Sequence, residues 1–136
     1  NIIAVKEASG NLQQIMEILR DKPADFDVLS GDDGITQPMM ALGAKGVISV
    51  AANGYPDLFC SMVKSMLNND AATALPLHYK LLKMNNLIFA DGNPAGIKCL
   101  LAYQNLCKNV LRLPLVSVTE NVKNDLENEF NFIYNK

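Results

Sequence analysis

Two hydrophobic patterns alternate along the first half of the chain. Ile2-Ile3-Ala4-Val5 is a short continuous apolar run ended by Lys6, the pattern of a strand buried on both faces of a parallel sheet. Ser9-Gly10-Asn11 then supplies a turn and a helix N-cap. Leu12, Ile15, Met16 and Leu19 follow at i, i+3, i+4 and i+7, one face of a helix closed by Pro23. The plan repeats with Phe26 to Leu29 as strand, Ser30-Gly31-Asp32-Asp33-Gly34 as loop, and a short helix through Met39, Met40 and Leu42 that stops at Gly43. It repeats again with Gly46 to Val50 as strand, Ala51 to Tyr55 as loop, and a helix from about Asp57. There Leu58, Phe59, Met62, Val63, Met66 and Leu67 make one apolar stripe.

Three strands, each followed by a helix and spaced about 20 to 25 residues apart, predict a parallel α/β sheet at the pace of a (β/α)8 barrel. Such a barrel takes roughly 250 residues to close, and this chain has 136. It is therefore expected to hold the last strands of a barrel or an open sheet. Its start on Asn1, directly into an apolar run, predicts a piece of something longer. From Asp70 onward the period is helical throughout, so the expected division is residues 1–69 as βα units and 70–136 as a helical region. Leu75, His78, Leu81 and Leu82 belong to a helix begun near Asp70, which Pro76 should kink or split. Asn93-Pro94 reads as an N-cap with proline at the first helical position, and Ile97, Leu100 and Leu101 turn that helix inward. Leu111 to Val118 is an extended linker around Pro114. Thr119 caps a last helix whose stripe is Val122, Leu126, Phe130 and Ile133.

Composition narrows the function classes. Hydrophobic residues make up 49% and charged residues 19%, enough apolar surface to bury a core. With 12 basic and 14 acidic residues the net charge is −2, which lacks the basic excess of a phosphate-backbone binder and argues against nucleic acid as a partner. No run of about 18 apolar residues occurs, so no membrane-spanning helix is expected, and there is no signal core at the amino end. The expectation is a soluble, cytoplasmic protein. Cys60, Cys99 and Cys107 are odd in number and widely spaced among Leu, Phe and Met, and read as small buried hydrophobes in a reducing compartment.

Lys6 is the first candidate for chemistry. The C-terminal end of a parallel strand is where barrel enzymes place catalytic groups, an apolar setting disfavours the charged form of an amine, and a free amine can attack a ketone to form a Schiff base. The plainer alternative is a lysine whose stem lies along the sheet edge while its ammonium reaches water. Asp32-Asp33, after the second strand, reads either as an acid/base or metal pair or, more simply, as turn and helix-cap residues. His78 is the sole histidine, so no Ser-His-Asp triad or multi-histidine metal site can be assembled, and a structural role fits it. Neither a GxxxxGK[ST] loop nor GxGxxG is present. A receiver domain would also set an acidic pair and a lysine at strand ends, but there the acidic pair comes first, and here Lys6 does.

These blocks have a family likeness. Val5-Lys6-Glu7-Ala8-Ser9-Gly10-Asn11, Leu29-Ser30-Gly31-Asp32-Asp33 and Gly46-Val47-Ile48-Ser49-Val50-Ala51-Ala52-Asn53 resemble, in order and spacing, the second half of the dihydrodipicolinate synthase family. Asn93-Pro94-Ala95-Gly96-Ile97-Lys98 and Leu111-Arg112-Leu113-Pro114-Leu115 resemble its C-terminal helical region. The resemblance implies the C-terminal part of a TIM barrel, strands six to eight, followed by an all-helical extension. It implies a pyruvate-dependent class I aldolase that condenses pyruvate with aspartate semialdehyde to give 4-hydroxy-tetrahydrodipicolinate in lysine biosynthesis. Lys6 matches the family's Schiff-base lysine, Ile48 the eighth-strand residue whose main chain lines the pyruvate pocket, and Gly31 a glycine near the incoming aldehyde. The imine is itself the electron sink, so neither a metal nor another cofactor is implied, and Asp32 and Asp33 become loop and helix-start residues. A homo-oligomer, dimer or tetramer, is also implied. The family's carboxylate-binding threonine, proton-relay tyrosines and aldehyde-binding arginine belong to earlier strands and have no counterpart in these residues, so the 136 residues alone are expected to be inactive. Two alternatives remain: a sister pyruvate aldolase such as an N-acetylneuraminate lyase, and a non-catalytic half-barrel serving as a structural module.

Overall fold

Strand β1 (Ala4–Glu7) lies parallel to β2 (Asp27–Ser30), with Lys6 opposite Leu29 and Glu7 opposite Ser30. The computed structural model describes residues 1–134, and the chain divides into two compact units. The first comprises Asn1–Ser49 and Asp57–His78. Both strands start later than their apolar runs because backbone pairing sets their limits. The Asp27 amide donates to the Ile3 carbonyl at 2.9 Å and the Gly31 amide to the Glu7 carbonyl at 2.7 Å.

The expected third strand, Gly46–Val50, is a correction. It makes a single parallel bridge, Val47 opposite Ser30, although its bonds to β2 are well formed: Lys45 N–H to Val28 O at 2.9 Å, Ser30 N–H to Gly46 O at 2.8 Å and Ile48 N–H to Ser30 O at 2.8 Å. The run leaves the extended region at both ends. Gly46 sits at φ +154°, open to glycine and strained for other residues, and Val50 is already helical, leading into a 3-10 turn over Ala51–Asn53. Parallel direction holds on both sides, so β2 is the central line of the sheet.

Burial of β1 on both faces is the second correction. Ile2 and Ile3 are 79% and 74% exposed and Val5 is also open, because among the described residues no strand pairs with the edge of β1 away from β2. β2 is enclosed on one face, where Val28 and Ser30 are buried, while Asp27 is exposed and Leu29 half-buried. Val28 is fully buried in a core with Ile15, Met39, Met40 and Ala44, flanked by Ile18, Leu19, Ile35, Val63 and Met66. Each of the buried Ile, Val and Met side chains contributes about 1.5–3 kcal/mol.

The helices in this unit follow the expected order. α1 (Leu12–Asp21) is capped by Asn11, whose side chain accepts from the Gln13 and Gln14 amides at 3.1 and 3.3 Å. Ile15, Ile18 and Leu19 carry its packed face, while Leu12 and Met16, expected on the same face, are exposed. A 3-10 turn over Asp33–Ile35 runs into α2 (Thr36–Ala41), and α3 covers Pro56–Leu67. α4 (Ala71–Leu87) is one uninterrupted helix with Pro76 inside it, so the expected split does not occur. Ala74, His78 and Leu81 form its buried stripe, whereas Pro76 and Ala72, whose carbonyl loses its donor, are exposed. Water can take up the bond that proline removes.

The second unit comprises Val50–Pro56 and the chain from Tyr79. Buried Tyr55 donates its hydroxyl to Asn85 Oδ1 at 2.8 Å. α5 (Ala95–Tyr103) and α6 (Glu120–Tyr134) pack through fully buried Leu100, Leu126 and Ile133. Tyr103 stands edge-on to Phe130 at 5.8 Å and exchanges hydrogen bonds with Asn131. Pro94 is the residue before α5, not its first helical position, and no side chain caps it. Thr119 caps α6 as expected, and Asp91 Oδ2 accepts from both its amide and its hydroxyl at 2.8 Å. Residues 111–118 form no regular element. Of the cysteines only Cys99 is buried. Cys60 falls on the outer face of α3 beside buried Phe59, and Cys107 in the irregular segment after α5, so both are exposed despite apolar neighbours in sequence. Among the described residues no helix is long and apolar enough to cross a membrane.

The start of α4 yields a pH test. Hydrogen bonds from Thr73, including its amide at 3.0 Å, hold the Asp70 carboxyl below its ordinary range. A depressed carboxyl stabilises the fold above its unfolded pKa of about 3.9, and that contribution is lost as pH falls through the lower folded value. Thermal melts of the parent and Asp70→Ala are expected to differ most near neutral pH and to converge below about pH 4. A gap that stays constant down to acid pH would show that the cap contributes nothing through its charge.

Candidate active site

Successive side chains on a strand point to opposite faces, so Lys6 and Glu7 at the end of β1 serve different sides of the sheet. Lys6 lies across Gly31. A Cβ placed on Gly31 would fall 2.7 Å from Lys6 Cε and 2.7 Å from Ala8 Cβ, inside any tolerable contact. Only a residue without a side chain leaves the lysine stem that path. Gly31 itself is fixed by the hydrogen bond its N–H donates to the Glu7 carbonyl. The structure thus brings together two of the three residues singled out in sequence.

The third, Ile48, joins them through the backbone. Its amide donates to Ser30, one residue before Gly31, while its side chain is 52% exposed. Its main chain is therefore held at the same C-terminal end of the sheet as Lys6 and Gly31, and its side chain does not fix it there. The dry surroundings expected for Lys6 are not supplied by these residues. Lys6 is exposed, because β1 is the open edge of the sheet and only one side of the lysine is walled.

The acidic pair is accounted for locally. Asp32 caps the 3-10 turn, its Oδ1 accepting from the Gly34 amide at 2.9 Å, and Asp33 is the buried first residue of that turn. His78 is buried within α4, and burial pushes its imidazole pKa down. Among the described residues no three His, Cys, Asp or Glu side chains cluster to hold a metal ion.

Sequence reasoning missed Glu7. Only 7% exposed, it accepts the Ser9 amide at 2.9 Å and the Gln14 side-chain amide at 3.5 Å through Oε1. Ser9 Oγ in turn accepts the Asn11 amide at 3.1 Å, and Asn11 caps α1. The signal was present: in a strand whose lysine faces one side, the next residue must face the covering helix, and a carboxylate there needs donors.

The chain has many relatives among known proteins. The model of the dihydrodipicolinate synthetase family matches residues 1–132. The 4-hydroxy-tetrahydrodipicolinate synthase of Phocaeicola vulgatus is 54% identical over 116 residues, 85% of this chain and 39% of that protein. That of Flavobacterium psychrophilum is 46% identical over 127 residues, 93% of this chain and 43% of that protein. Among solved structures, dihydrodipicolinate synthase from Aquifex aeolicus superimposes with a TM-score of 0.92 at 39% identity, covering 99% of this chain and 46% of that one. The chloride-inhibited synthase from Acinetobacter baumannii, complexed with pyruvate, gives 0.94 at 29% identity, covering 98% and 46%. The chain spans less than half the length of the proteins it matches. With its residues matched from the first strand into the last helix, the chain belongs to the dihydrodipicolinate synthetase family.

Proposed function

We propose that this chain carries the Schiff-base half of a pyruvate-dependent aldolase, and that the complete protein condenses pyruvate with aspartate semialdehyde to give 4-hydroxy-tetrahydrodipicolinate. The observation that supports it most is the passage of the Lys6 stem over Gly31 at the C-terminal ends of parallel strands, where barrel enzymes hold their reacting groups. In this reading β1, β2 and the Val47 segment are the sixth to eighth strands of a barrel. Residues 1–69 are its last three βα units and 70–136 a helical extension. The protein works as a cytoplasmic homo-oligomer.

The chemistry follows from an amine beside an open backbone surface. Lys6 Nζ attacks the ketone carbon of pyruvate, and loss of water leaves an imine. Protonated, the imine draws electrons from the methyl group, which gives up a proton and becomes an enamine carbon able to bond to the aldehyde. The glycine matters because the substrate must approach the backbone beside the lysine. Ile48 contributes its main chain to the pyruvate pocket, and Gly31 lies near the incoming aldehyde. Strands packed on the open edge of β1 would supply the dry wall that Lys6 lacks here, and desolvation there would favour the neutral, nucleophilic amine.

Borohydride reduction in the presence of pyruvate tests the assignment in the complete protein. A pyruvyl adduct is expected on the peptide containing Lys6 and should vanish in Lys6→Arg, which keeps the charge but cannot form the imine. An adduct on Lys45 or Lys98 instead, or undiminished turnover in the variant, would end it. A second variant probes the contact. Gly31→Ala forces its methyl onto Lys6 and Ala8, so overpacking is expected to cost about 1–3 kcal/mol in denaturant unfolding. Displacing the amine should also slow adduct formation by roughly tenfold or more. Trapping at the parent rate would show that the lysine does not use this path.

A further inference from the structure

We propose that Glu7 is the positioning residue for Lys6, acting as a neutral-equivalent hydrogen-bond acceptor and not through its charge. The inference rests on the Schiff-base reading of Lys6 and adds to it the device that holds the amine in place. Lys6 stands at the C-terminal end of β1, next to the turn over Glu7–Ser9, so whatever fixes that turn helps to set the aim of the lysine. Beyond the pairing of β1 with β2, Glu7 makes two bonds at this end of the strand. Its carbonyl takes the Gly31 amide at 2.7 Å, which fastens the end of β1 to the glycine under the lysine stem. Its carboxylate turns to the opposite face and takes the Ser9 amide at 2.9 Å.

The second bond closes the turn between them. Ala8, held between Glu7 and Ser9, presses its methyl towards Gly31 beside Lys6 Cε, so the position of Ala8 shapes one wall of the lysine path. Ser9 passes the restraint on to Asn11 and the start of α1, and Gln14 on the first turns of that helix reaches back to the same Oε1 at 3.5 Å. Glu7 is more than nine-tenths buried, and its second oxygen, Oε2, is buried without a partner among the described residues. The contacts that matter therefore converge on one oxygen. An amide oxygen at the same reach would accept the Ser9 amide in the same geometry.

Three variants of the complete protein separate acceptor from charge. Glu7→Gln keeps the reach and loses the charge, Glu7→Asp keeps the charge and retracts the oxygen by one methylene, and Glu7→Ala loses both. The readouts are the rate of borohydride-trapped pyruvyl adduct on Lys6, its pH profile, and hydrogen exchange of the Ser9 amide. The expected result is adduct formation in Glu7→Gln within about twofold of the parent with an unchanged pH profile, and a loss of tenfold or more in Glu7→Asp and Glu7→Ala. Ser9 exchange should be at least tenfold faster in the two slow variants only. Glu7→Asp as fast as the parent, or Glu7→Gln slow, unfolded or shifted in its pH profile, overturns the proposal whatever Glu7→Ala does. The two readings fail differently: a parent protein that traps no adduct on Lys6 refutes the Schiff-base assignment, while Ser9 exchange reports on the clamp without any reaction.

Discussion

The first unit depends on β2 using both edges of its backbone at once. Asp27 and Gly31 turn their amides to β1, while Val28 and Ser30 turn their polar groups to the Lys45–Ile48 segment. A backbone group left unpaired inside a protein costs as much as a lost hydrogen bond, so a strand with one face buried against helices is best held by a partner along each edge. Val28 is the residue that is enclosed, and the ladder on either side of it sets where Lys6, Gly31 and Ile48 come to rest. The candidate site is thus a by-product of how one central strand satisfies its amides.

Much of this was legible from residue pattern. The Asn11 and Thr119 caps and the helix beginning near Asp70 follow from side-chain chemistry within a few positions, parallel order follows from the repeat of strand and helix, and the structure has them all. What was not legible depends on partners far along the chain or on none at all. Ile2 and Ile3 have the composition of an enclosed strand, but enclosure requires a neighbour that periodicity cannot supply. Val47 to Val50 reads as a strand because its side chains are β-branched or small, yet the geometry of Gly46 and Val50 limits it to one bridge. Pro76 fails to break α4 because its consequences fall on the solvent side, and which side that is becomes known only once Ala74, His78 and Leu81 have found their packing.

The site shows the same division. Lys6 and Gly31 were recognisable from their blocks, and the structure sets the lysine stem beside the glycine. Glu7 was passed over because it adjoins a more conspicuous residue and because an acidic side chain suggests solvent. Its burial reflects strand geometry, which gives neighbours in sequence opposite surroundings.

A pair of hydrogen bonds in the second unit bears on how much length its connecting stretch can take up. Asp91 receives both the amide and the hydroxyl of Thr119, 28 positions later, and so ties the approach to α5 to the start of α6. The helix α5 and the irregular stretch behind it are thereby enclosed in a loop whose ends are already joined. Lengthening a closed loop is entropically mild, about 0.6 kcal/mol for each doubling. Adding a few residues between Gln104 and Val118 therefore costs little in loop closure itself, and what resists it is the few bonds the stretch makes, from Gln104 to the Gly54 carbonyl and from Lys98 to the Val110 carbonyl.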